Sequence, residues 1–367
     1  MSIERIVVEQ LKLTRLNQES NPPRSDVPEV VRALPKIELH RHLEGAVRLE
    51  TLVDVAQQHG IEMPEYTSEV LRPFVQMHPE EPRTAQNFLA KFAVLRQFFM
   101  SQGVIARITR EAVIDAAADQ VKYMELRFTP AALCQVSKCT PEDVVALVCE
   151  TATTTAAEQG IDVRLIVSIN RHESIELGER VLKAALNNRS RGVVGFDLAG
   201  KEAEFSAVPF RDIIKKAKVE GLGITLHAGE WEGAPSVWDA VGNLGADRIG
   251  HGIRALEDLG MVQIIAARGI VLEVCPSSNV DSGVVPDFKD HPLPVLIEHG
   301  VKITINTDDP LVSGITLSDE IHRTMQYLSL SLDDVKQHTL TAAHAAFLPD
   351  DERQALVAKF EAWFAPS

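Results

Sequence analysis

IELHRH at residues 37–42 opens a series of eight short apolar, β-branched runs, and their recurrence decides the fold. The others are YMELRF (123–128), DVRLIVSIN (162–170), VVGFDLAG (193–200), ITLHAGE (224–230), DRIGHG (247–252), IVLEVCP (270–276) and KITINTDD (302–309). Amphipathic stretches such as PFRDIIKKAKVEGLG and HPLPVLIEHG lie between most of them, and the glycine after the last apolar position reads as a helix C-cap. Eight such units predict an α/β chain folded as a (β/α)8 barrel of TIM type around a parallel sheet. About 80 residues separate the first run from the second, far more than one crossover needs, so extra helices are expected there, covering the barrel mouth.

A chain of 367 residues accommodates this barrel as one domain over residues 31–367. Residues 1–30, with the irregular NPPRSDVP segment, read as an N-terminal extension. The 45% hydrophobic and 24% charged content is that of a globular protein with an ample core. Lys and Arg total 37 against 52 Asp and Glu, and a net charge of −15 repels a polyanion, which excludes nucleic acid as a partner. No apolar run reaches membrane-spanning length and the first residues lack the apolar core of a signal peptide, so no membrane partner and a cytoplasmic location are expected. Cys134, Cys139, Cys149 and Cys275 form no Cys-x-x-Cys pair, which leaves any metal to histidine and carboxylate. Amphipathic helices on a barrel exterior are needed whether or not subunits meet there, so the oligomeric state is not legible.

Side chains two apart on a strand share a face, so His40 and His42 are expected to project into the barrel together, with Arg41 turned away. His227 lies near the end of the fifth run, His251 near the end of the sixth, and Asp308 and Asp309 close the eighth, all at the face where barrel enzymes keep their chemistry. Imidazoles and a carboxylate in such a set suit zinc, with a position left for water. Each feature alone has a plainer reading. Asp-Asp-Pro is good turn chemistry, Glu230 suits the first turn of a helix, Gly200 suits a turn, and Phe88, Leu89 and Phe92 at helical spacing suit core packing. A carboxyl such as Glu230, beside a metal and under a lid, also suits a proton donor with a raised pKa.

PKIELHRHLEG, FLAKF, VVGFDLAGKE, LHAGE, RIGHG, LEVCPSSN and TINTDDP, in this order over about residues 35 to 350, together resemble the adenosine deaminase family. The resemblance implies one catalytic Zn2+ per chain bound by His40, His42, His227 and Asp308. It implies that Glu230 protonates purine N1 and that His251 orients and deprotonates the attacking water. Asp309 would then hydrogen-bond N7, the Gly200 N–H would meet N3, and Phe88, Leu89 and Phe92 would form the apolar wall on the ribose side. The product would be an inosine-type base plus ammonia, from a small purine nucleoside such as adenosine or 2′-deoxyadenosine.

One position departs from that pattern. The family's adenosine enzymes usually carry Asp where this chain has Glu44, and the carboxylate there binds the ribose 5′-hydroxyl. Glu44 is similar to relatives that deaminate adenine or 6-aminodeoxyfutalosine, although DLAGKE is unlike the adenine enzymes. Two rival readings share some features. A two-metal cyclic amidohydrolase would need a bridging ligand at the fourth strand, where Lys201 is the nearest candidate. A catalytically inactive purine-binding relative would not need the full set of chemical groups that this chain has.

Overall fold

A computed structural model describes residues 27–365. Most of the expected N-terminal extension therefore lies outside the described residues. Each of the eight runs is a strand: β1 Lys36–His42, β2 Val121–Phe128, β3 Asp162–Asn170, β4 Val193–Ala199, β5 Gly223–Ala228, β6 Arg248–His251, β7 Val271–Val274 and β8 Lys302–Ile305. All neighbouring pairs are parallel and in sequence order. Among the described residues no helix is long and apolar enough to cross a membrane.

The seam between β8 and β1 is closed in an unusual way. The β1 register shifts between Glu38 and Arg41. Within that shift the Asn306 side-chain oxygen accepts the N–H groups of Leu39 (2.9 Å) and His40 (3.1 Å), in place of a backbone carbonyl. Backbone pairing then resumes, with Asp308 N–H donating to His40 (3.0 Å) and His42 N–H donating to Asp308 (2.8 Å). The barrel is thus closed next to the residues expected to carry chemistry.

The long gap holds helices Leu49–His59, Ser68–Val75 and Ala85–Leu95 ahead of the crossover helix Gln102–Ala118. They pack onto loops at the C-terminal ends of the strands, as expected. Met77 N–H donates to Val312 O (2.8 Å) after β8, and Gly283 after β7 lies directly against the Arg83 carbonyl. Lys91 is buried and ties the last helix of the insertion to Pro73 O (2.9 Å) and Glu81 (2.6 Å).

The opposite end of the barrel is filled by Phe347. A Cβ on Gly223 would stand 2.3 Å from its ring and one on Gly195 2.9 Å, while the Arg248 guanidinium stacks on it at 3.6 Å. Glycine at the start of β5 is therefore required by close approach. We expect Gly223→Ala to destabilise the fold by about 1–3 kcal/mol through overpacking. Urea unfolding checks this, and a midpoint equal to that of the unsubstituted chain would show that Phe347 does not fill this end.

Candidate active site

The interior of the barrel is built from charged side chains on alternating strand positions. Glu273 on β7 is fully buried and accepts from His40 Nδ1 (2.8 Å), Arg127 (2.5 Å), Arg248 Nε (2.6 Å) and Thr225 (3.0 Å). Burial alone would raise its pKa, but Arg127 and Arg248 hold it well below the usual carboxylate range. Asp197 on β4 takes the His227 Nδ1–H (3.1 Å) and the Ser168 hydroxyl (3.0 Å), and Arg127 lies 3.5 Å away.

These carboxylates determine which nitrogen of the His40 and His227 imidazoles faces the mouth. With the protons of His40 and His227 held at Nδ1, the Nε2 lone pairs point outward and are free to ligate. His40 Nε2 is buried without a hydrogen-bond partner and lies 3.2 Å from Asp308 Oδ1. His42 Nε2 lies 3.2 Å from His227 Nε2 and 3.3 Å from the same Asp308 oxygen. One donor atom from each of His40, His42, His227 and Asp308 falls within 4.8 Å of all the others. Lone pairs converging in a buried site need a cation between them, so this donor set fits a metal ion. His40, His251, Cys275 and Asp308 satisfy the same distance test. Lys201 is exposed and ion-paired with Glu204 (3.0 Å), and it belongs to neither group.

His251 and Asp308 are both non-glycine residues with positive φ, at +60° and +63°. Asn306, Asp308 and their neighbours are buried, and Ser278 donates to Asp308 Oδ2 (2.7 Å), so the strained turn is held from several sides. Asp309 is also the N-cap of the short helix Pro310–Ser313, so the turn reading and the placement of a carboxylate at the mouth are both satisfied. The His251 ring places Nε2 3.6 Å from Glu230 Oε2 and 3.8 Å from Asp308 Oδ2. Burial, with Asp308 and Glu202 adding to it, carries the Glu230 pKa well above the usual carboxylate value, which favours its protonated form. Burial and the same crowding by Asp308 raise Asp309 well above its usual value, and its Oδ1 is buried without a partner.

Glu230 sits in a bend, not in a helix. The bend is shaped by Glu202, a buried carboxylate that accepts four successive backbone N–H groups, from Gly229 (2.6 Å), Glu230 (3.0 Å), Trp231 (2.7 Å) and Glu232 (3.1 Å). Glu44 is buried, takes the Thr129 N–H (2.6 Å) on Oε1 and leaves Oε2 unpartnered, and burial pushes its pKa up to about 7. Gly200 adopts φ +88°, as its turn requires. Phe88 is packed into the core with its ring 5.8 Å from that of Phe92, while Leu89 and Phe92 are only partly buried. Glu273, Asp197, Glu202, Asn279, His291 and Asn306 are polar positions at the site that sequence reasoning does not single out. The signal available for the first two was a charged residue at an inward position of an otherwise apolar strand.

Comparison with known proteins agrees with this geometry. Residues 35–363 match the family described as adenosine deaminase. An adenosine deaminase of Shewanella loihica is 37% identical over 326 residues, covering 89% of this chain and 98% of that protein. The solved adenine deaminase of Arthrobacter aurescens has a TM-score of 0.82 and 28% identity, covering 90% of this chain and 99% of that one. An amidohydrolase of Burkholderia ambifaria, solved with bound zinc, has a TM-score of 0.82 and 28% identity over 95% of each chain. A match that runs the length of the barrel places this chain in the adenosine deaminase family, as a hydrolase that removes an amino group from a purine.

Proposed function

We propose that the chain hydrolyses the 6-amino group of a purine nucleoside, adenosine or 2′-deoxyadenosine, giving inosine or 2′-deoxyinosine plus ammonia. The observation that carries this reading is a buried Glu230 carboxyl 3.6 Å from His251 and beside the four-donor cluster, with its pKa raised by burial. His40, His42, His227 and Asp308 would hold one zinc ion, the metal bound in the similar Burkholderia amidohydrolase. Zinc in such a site makes water acidic enough to supply hydroxide near neutral pH.

The protein's own groups then divide the work. Water adds across the C6–N1 double bond, its oxygen to C6 and a proton from Glu230 to N1, and the proton that the water gives up on attack restores the Glu230 carboxyl. The new hydroxyl loses its proton as the amino group departs as ammonia, which leaves a 6-oxo purine with hydrogen on N1. His251 faces the oxygen that attacks. Asp309, whose pKa is raised by burial and by Asp308, donates to N7 in its protonated form, and the Gly200 N–H reaches N3. Leu89 and Phe92 present an apolar wall on the sugar side, backed by Phe88.

Glu44 favours a nucleoside over the free base. Its Oε2 is buried and unpartnered, and a sugar hydroxyl satisfies it where adenine alone does not. Steady-state comparison of adenosine, 2′-deoxyadenosine, adenine and 6-aminodeoxyfutalosine tests the substrate, and the two adenosine nucleosides are expected to have the highest kcat/KM. A preference for either of the others would overturn the choice.

A second outcome follows from the raised pKa of Glu230. The acid must be protonated to act, so activity is expected to fall as pH rises through its pKa. Glu230→Gln is expected to lower kcat by about 10²- to 10⁴-fold, the usual contribution of a general acid. Equal turnover by variant and unsubstituted protein across purine substrates would remove Glu230 from the mechanism.

A further inference from the structure

His251 is oriented differently from the two histidines whose Nδ1 meets a carboxylate. Behind it runs a chain of hydrogen bonds that begins at a backbone group and so has only one possible direction. The Leu293 N–H, which can only donate, gives its hydrogen to His291 Nδ1 (3.1 Å). His291 carries no proton on that nitrogen, so its hydrogen is on Nε2, which donates to Asn279 Oδ1 (3.2 Å). With the Asn279 oxygen thus occupied, its amide nitrogen faces His251 Nδ1 (3.1 Å) and donates to it. All three side chains are buried, His291 at 3% exposure, Asn279 at 0% and His251 at 1%, so water does not offer an alternative partner. Burial also lowers the His291 pKa to about 3, in keeping with a neutral ring.

We infer that Asn279 and His291 are positioning residues that lock His251 as the tautomer with hydrogen on Nε2. This inference rests on the deaminase reading only for its consequence, which concerns the role of His251 in the reaction. His251 Nε2 is buried, has no hydrogen-bond partner, and stands 3.6 Å from Glu230 and 3.8 Å from Asp308. A resting Nε2–H there is a donor held open for the oxygen that attacks C6. His251 thus orients that oxygen by donating to it and does not take its proton, which corrects the base role implied by the family resemblance. The same assignment decides between the two clusters that satisfy the distance test. A protonated Nε2 has no lone pair for a metal, so the group containing His251 and Cys275 is not the metal site, whereas His40 and His227, with Nδ1–H held by Glu273 and Asp197, are free to ligate.

The test is a 15N NMR measurement of imidazole tautomers in the zinc-loaded protein, with no substrate present. Protonated Nε2 and unprotonated Nδ1 are expected for both His251 and His291. Protonated Nδ1 on a neutral His251 would overturn the inference. A second measurement uses His291→Ala and His291→Gln, neither of which alters a group that touches substrate. In His291→Ala the Asn279 amide is free to rotate, so the His251 tautomer should become mixed or invert. A fall in kcat of roughly 10- to 100-fold should accompany this, the usual scale for a supporting hydrogen bond, with KM and zinc content little changed. His291→Gln restores an N–H donor and should recover both the tautomer and kcat. If both variants keep the original His251 tautomer and kcat, or if Gln fails to recover what Ala loses while zinc content and thermal stability are normal, the relay is not what positions His251. The NMR result does not depend on turnover, so failure to deaminate any purine would count against the proposed function and leave the tautomer assignment standing.

Discussion

The site depends on what each imidazole meets at the nitrogen that faces away from the mouth. His40 meets Glu273 and His227 meets Asp197, so both present a lone pair outward. His251 meets the Asn279 amide and presents a hydrogen. Three chemically identical side chains, with ring centroids 4.7–5.3 Å apart, are thereby given two different tasks. In the proposed reaction, metal binding and the placement of the attacking oxygen would both follow from buried partners behind these rings.

This arrangement is not the most stable way to fill a barrel. Replacing a buried ionic network with well-packed apolar side chains is often stabilising by about 1–4 kcal/mol, because taking charges out of water costs more than their attraction returns. The network of Arg127, Arg248, Glu273, Glu125 and Asp197 is therefore best understood through what it positions. Its guanidinium groups keep Glu273 ionised in the barrel interior, and an ionised Glu273 holds the His40 proton on Nδ1. Around the mouth the opposite device operates. Glu230 and Asp309 have carboxylates as neighbours, and burial with those neighbours raises both pKa values and favours their protonated, donating forms.

Strand order and the extra helices over the mouth were legible in the sequence because they rest on hydrophobic periodicity and chain length, which are local properties. His40 and His42 were legible for a simpler reason than the structure gives. Strict alternation predicts that they share a face, whereas β1 carries a register shift between Glu38 and Arg41 that Asn306 repairs, and the two rings still converge on Asp308. Glu202 escaped notice because its four partners are backbone groups 27 to 30 residues away. Asn279 and His291 escaped notice because the direction of their hydrogen bonds is set by Leu293 N–H, and no property of the three residue types announces that contact. The first-turn reading of Glu230 failed for a related reason, since the carboxylate of Glu202 bends the chain there before the helix at Ala234 begins.

We propose that the buried partners of His40, His227 and His251, and not proximity alone, decide which of these rings bind the metal. Anomalous diffraction at the zinc edge on crystals of the zinc-loaded protein tests it most directly. One zinc per chain is expected, bonded by Nε2 of His40, His42 and His227 and by Asp308, with His251 outside the coordination sphere. A zinc ion bonded to His251 and Cys275, or a second zinc beside the first, would contradict it.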